Sequence, residues 1–95
     1  MSKGYFVKMQ FIQKLTFKMM VEVFGVHEQH TTLDNILTVS GTFPEIPSEE
    51  YIKEIERLYV EEFNKKDSEF YALSCKFDCF KEVKVVDLDT FNSGN

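Results

Sequence analysis

The sequence predicts an α+β fold: a small antiparallel sheet of about four or five strands, in the chain order β-β-β-α-β-β, with one amphipathic helix packed on one face. Three observations predict it. Residues 48–66, SEEYIKEIERLYVEEFNKK, repeat their apolar side chains with helical period, whereas most other apolar residues alternate with polar ones at period two. The alternating runs are also not separated by helices, as a parallel sheet would require.

The helix is the clearest element. At 100° per residue, Tyr51, Ile52, Ile55, Leu58, Tyr59 and Phe63 share an arc of about 140°, wide enough to lie along a sheet. Ser48 is placed as N-cap after Pro47, and Glu49 and Glu50 occupy the first turn, where the helix dipole favours anions. Glu49 with Lys53, Arg57 with Glu61, Glu61 with Lys65 and Glu62 with Lys66 are opposite charges at i,i+4, each worth roughly 0.2–0.5 kcal/mol.

The strands follow from alternation. From Tyr5 to Val23 every odd position is apolar except Gln13, and the even positions carry Lys8, Gln10, Lys14, Thr16, Lys18 and Glu22. Nineteen residues exceed an ordinary strand, so a turn or bulge is expected near Gln13 and Lys14. A helix over residues 11–24 competes, because Ile12, Leu15, Met19 and Val23 also share a helical face. Residues 25–35 read as a polar loop ending in Asp34 and Asn35. Residues 36–43 read as a short strand with Leu37, Val39 and Phe43 on one face and Gly41 marking a bulge or close approach. After the helix, Tyr71, Leu73, Cys75, Phe77 and Cys79 alternate with polar residues, and Lys81 and Glu82 are placed at the head of a hairpin returning through Leu88. Residues 1–88 form one domain, and residues 89–95 a flexible tail.

Composition narrows the class. At 95 residues, 43% apolar and 28% charged, the chain supports one core, with ten Phe and four Tyr to fill it. Neither a run of 18 apolar residues nor a signal peptide is present, so the expected location is cytoplasmic, a host cell if the source is viral, with no membrane partner. The net charge of −5 is uneven: residues 1–24 carry +3, while residues 45–69 hold nine acids against Lys53, Arg57, Lys65 and Lys66. An acidic chain with a single Arg is a poor partner for duplex DNA.

Catalytic and metal chemistry find no footing. Cys75 and Cys79 lie four apart in a strand, roughly 13 Å, beyond disulfide reach, and read as small buried apolar residues. His27 and His30 form H-x-x-H in a loop, half a zinc site at most, and read as solvated. Glu62 is the one acid inside the apolar arc, but it sits in the last turn with Lys66 beside it. No nucleophile signature, phosphate loop or dinucleotide fingerprint occurs among four glycines. No catalytic residue, metal or cofactor is assigned, and the expected protein is not an enzyme.

Two surfaces carry the functional expectation. Glu49, Glu50, Glu54, Glu56, Glu61 and Glu62 form an acidic helix face suited to another protein with a basic surface, the way small acidic phage proteins inhibit nucleic-acid-handling or host defence enzymes. Phe6, Ile12, Met20, Phe24 and Phe80, with Phe70, Val86 and Leu88, are expected to project from the uncovered sheet face and drive homo-oligomerisation there or through an open strand edge. The alternative is an oligomer that binds a small ligand or single-stranded RNA on that face, where Lys8, Lys14, Lys18, Lys76 and Lys84 interleave with aromatics.

Overall fold

The computed structural model describes residues 3–25 and 31–87. Five elements follow in order: β1 (Lys3–Phe17), α1 (Lys18–Phe24), β2 (Leu33–Phe43), α2 (Glu49–Asn64) and β3 (Phe70–Asp87). The fold is α+β with an antiparallel sheet, but the sheet has three long strands in the order β2-β1-β3, and there are two helices. The molecule is elongated, 56 × 24 × 18 Å.

Strand β1 makes no turn near Gln13 and Lys14, because it is central and paired on both sides from Tyr5 to Leu15. The bulge expected there as the alternative is present: the pairing with β3 shifts between Lys14 and Leu15, where Leu73 is the extra residue. The expected hairpin at Lys81 and Glu82 is also not formed. Neither residue favours a tight turn, and β1 is long enough to pair with β3 as one strand. The length mismatch is absorbed by three irregularities that leave Leu73, Asp78 and Lys81 without a register partner on β1.

The helix competing for residues 11–24 forms only over its second half, Lys18–Phe24. The reason lies in the ladder. Phe17 pairs with Phe70, the first residue of β3, and β2 begins opposite Leu15, so the chain beyond Phe17 has no strand to pair with. Lys18, Met19 and Met20 are good helix formers, and local propensity decides. One backbone bond, Lys18 N–H to Glu69 C=O at 2.7 Å, ties the start of α1 to the turn before β3. Gly25 closes α1 at φ +85°, a conformation that suits glycine.

Helix α2 matches the sequence reading. The Ser48 side chain accepts the Tyr51 N–H at 3.2 Å, and Ile52 and Ile55 are buried. They meet Val7, Met9 and Phe11 of β1 and Cys75 of β3, with Leu37, Val39, Phe43 and Phe77 at the margin. The odd positions of β1 thus face the helix, as their alternation requires. Strand β2 begins at Leu33 and pairs without any irregularity, so Gly41 marks no bulge. A Cβ there would meet the Phe43 ring at 3.6 Å, ordinary contact, so glycine is not demanded.

The register shifts change the faces of β3. Cys75 pairs with Gln13 and Phe80 with Met9, on the helix side, whereas Cys79 pairs with Gln10 on the opposite face. Phe80 therefore packs edge-on against Phe77 at 5.0 Å and does not join Phe6 and Ile12. Phe70, opposite Phe17 with rings stacked at 5.2 Å, leaves the expected group too. His27, His30, Leu88 and the tail lie outside the described residues.

Candidate interaction surfaces

The acidic residues of α2 fall into three groups. Glu54 and Glu61 both bind Arg57, the latter at 2.7 Å, and the guanidinium holds the Glu54 carboxyl below the usual range, chiefly by hydrogen bonding. Glu49 pairs with Lys53 at 3.6 Å and Glu62 with Lys65 at 3.1 Å. Glu62 thus leans outward. These four acids have cationic partners, yet six carboxylates stand against only Lys53 and Arg57 between Glu49 and Asn64, an excess of four negative charges along the helix.

Glu56 is different. Its Oε2 accepts the Phe77 backbone N–H at 2.6 Å, so it serves the edge of β3 instead of a solvent-facing patch. Asn64 does the same one end further on: its Oδ1 accepts the Ala72 N–H at 2.7 Å and its Nδ2 donates to the Ala72 C=O at 3.0 Å. An Asn side chain carries a donor and an acceptor side by side, the same pair a neighbouring strand would present. Nothing in the sequence alone marks this bolt beyond the position of Asn64 as the last residue of α2.

The face of the sheet away from α2 is mixed, not apolar. Phe6 lies between Thr42 and Lys84, Lys8 between Ser40 and Glu82, Gln10 between Thr38 and Cys79, and Ile12 between Ile36 and Lys76. Lys84 Nζ stands 5.2 Å from the Phe6 ring centroid and also pairs with Glu82 at 3.6 Å. Gln10 Nε2 donates to Asp78 at 2.7 Å. Of the five residues expected to drive association, Phe6 and Ile12 share this face, Met20 and Phe24 belong to α1, and Phe80 is on the helix side.

Exposed apolar groups gather elsewhere. Helix α1 buries none of its residues, leaving Met19 65% and Val23 69% exposed, with Phe17 and Leu33 exposed nearby in sequence or pairing. A hollow of about 470 Å³ between Phe17, Met19 and the 68–69 turn opens there, with Lys18, Glu22 and Glu69 at its rim. On the other flank, Tyr51, Leu58 and Tyr59 of α2 are exposed beside β2, where Tyr51 meets Phe43 edge-on at 5.7 Å.

Buried polar and thiol groups complete the picture. Gln13 is 1% exposed in the middle of β1, and its Oε1 accepts the Asn35 amide at 3.2 Å. Burial, reinforced by the nearby Glu56 carboxylate, pushes the Cys75 thiol up to about 11. Among the described residues no group of three or more His, Cys, Asp or Glu could hold a metal ion, and no helix is long and apolar enough to cross a membrane. No protein-family model, curated protein or solved structure matches the chain.

Proposed function

We propose that the protein is a non-catalytic binding protein that acts by stoichiometric contact with another protein, using the α1 end as its contact surface. One observation carries this reading: α1 leaves Met19, Val23 and Phe24 exposed and contributes none of its residues to the core. A seven-residue helix is too short to be stable by itself. This one has no side-chain cap and no acid in its first turn. It is held by its junction with β1 and the bond to Glu69. Burying Met19 and Val23 against a partner would add about 1.5–3 kcal/mol for each fully covered side chain and consolidate the helix at the same time. Polar rims around exposed apolar hollows are the usual form of such surfaces.

The acidic excess of α2 supports a basic partner, since charge complementarity raises association rates more than affinity. An enzyme that handles nucleic acid presents such a surface, and occupation of its substrate site is the form of inhibition this charge distribution favours. The single-stranded RNA alternative draws on Lys8, Lys14, Lys76 and Lys84 on the uncovered sheet face. Its stacking platform is weaker support, because Lys84 already covers the Phe6 ring.

The test is affinity capture from extracts of the source cells with three baits. The wild type should recover a partner in stoichiometric amount. Met19→Asp with Val23→Asp should lose it, while Glu54→Lys with Glu61→Lys should retain it with slower association. Undiminished recovery by the α1 variant would remove α1 as the contact surface, and single-stranded RNA retained at ordinary salt and lost on Lys14→Glu would replace the reading altogether.

A further inference from the structure

We propose that the protein dimerises by antiparallel pairing of β2 with β2 of a second copy, joining two three-stranded sheets into one of six strands. The inference comes from the unequal treatment of the two sheet edges, and it uses a surface separate from α1. The outer edge of β3 is closed. Asn64 takes both backbone groups of Ala72, Glu56 takes the Phe77 N–H, and three irregularities break its line. Lys76, Asp78, Lys81, Glu82 and Lys84 add charge along it. Bulges, charges and covering side chains are the devices that keep an edge from pairing.

Among the described residues, the outer edge of β2 has neither bulge nor covering side chain and only a single charge. Its eleven residues, LDNILTVSGTF, pair with β1 in unbroken register and contain one charge, Asp34. No hydrogen bond from α2 reaches its backbone among the described residues. A regular, nearly uncharged strand of this length is a template for another strand.

What pairs with it is set by its own sequence. About a two-fold axis, residues pair so that their numbers sum to a constant, and an axis through Thr38, the midpoint of β2, engages all eleven residues. Leu37 then faces Val39 of the second copy, Leu33 faces Phe43, Ile36 faces Ser40, and Thr38 faces itself, a favourable cross-strand pair. Asp34 faces Thr42, so no like charges meet; β3, by contrast, carries six charged side chains per copy, and its self-pairing would bring them to the seam. A strand edge alone is small beside the roughly 800 Å² per partner of a standard interface. The exposed Tyr51, Leu58 and Tyr59 on the β2 flank of α2 supply the remainder, lining the trough above the seam on the one face that both α2 helices share.

Sedimentation equilibrium at about 100 µM should give twice the chain mass of 11.2 kDa. Ile36 and Ser40 are both exposed, so Ile36→Lys with Ser40→Lys leaves the core intact while setting lysine against lysine twice across the seam. That variant should sediment as a monomer, and Ile36→Lys with Ser40→Glu should restore the dimer. Thr38→Cys should cross-link to itself under mild oxidation, because residues facing across a strand pair stand about 4.5–5.5 Å apart at Cα. Ile36→Cys, out of register with itself by four residues or roughly 13 Å, should not. A wild type that is monomeric at that concentration, or a dimer that survives the double lysine variant, overturns the proposal. So does a dimer in which Thr38→Cys fails to cross-link.

Discussion

Cys75 and Cys79 show how far one register shift reaches. Four positions apart in a regular strand they would share a face, yet the irregularity at Asp78 sends Cys75 under α2, 3% exposed, and Cys79 to the opposite side. Burial disfavours the thiolate, so Cys75 ionises only around 11, above its ordinary 9.0. Alkylation of the native protein at pH 8 should therefore modify Cys79 and spare Cys75 until denaturant is added. Mass spectrometry counts the adducts, and two native adducts would contradict the burial. The sign of the pH effect follows. Because the folded value lies above the unfolded one, this group's contribution to stability is complete below pH 9 and is lost as pH rises through 11. Denaturation midpoints for wild type and Cys75→Ala should converge over that window. Neither the burial of Cys75 nor the separation of the two thiols from each other was equally legible: the first follows from residue type, whereas the second depends on a partner strand. Gln13 is the same case. A glutamine interrupting an apolar alternation reads as a break, and only the Asn35 amide facing it explains how the strand continues.

At the scale of elements, α2 was readable because every signal for it is local: a cap, a period and charges four residues apart. Local signals also account for β1 and β2. The fate of residues 18–24 was not local. Their alternation continues that of β1, and they turn helical because the neighbouring strands end, a fact carried by Leu33 and Phe70 and not by the segment itself. The single β3 in place of a hairpin is likewise a consequence of β1's length. The docking of α2 on β3 gives this level its prediction. Glu56→Ala removes the acceptor for a half-buried backbone N–H and should cost about 1–3 kcal/mol, the penalty for leaving such a donor without its partner. Glu56→Gln keeps a carbonyl in place and should recover most of that. Asn64→Ala, which strips two bonds from Ala72, should cost at least as much as Glu56→Ala. Urea denaturation of the three variants checks the order, and equal stability of Glu56→Ala and wild type would mean the edge is not closed by α2.

The whole molecule is long and thinly covered, and that shape determines how its stability is distributed. Helix α2 has 16 residues, about 24 Å at 1.5 Å per residue, against a molecule 56 Å in its long dimension. Its buried contacts fall on Val7, Met9 and Phe11 of β1 and Cys75 of β3. Past them the sheet continues as a ribbon: Val83 and Val85 pair with Val7 and Tyr5, and both valines are exposed although they face the helix side. A ladder without apolar cover opens by fraying, at a small fraction of the free energy of global unfolding. Amide hydrogen exchange should accordingly be slowest from Val7 to Gln13, where opening requires the helix to leave, and faster by orders of magnitude from Lys3 to Phe6 and from Val83 to Asp87. The α1 amides should exchange fastest of the helical ones, since no α1 side chain is buried. Dimerisation through β2 adds protection along Leu33–Phe43 and, by its geometry, none to β3, so a concentration series separates the two contributions. Uniform protection along β1 would mean that the ends of the sheet are held by contacts other than α2. Protection of β3 that rises with concentration in place of β2 would move the seam to the edge that Asn64 and Glu56 occupy.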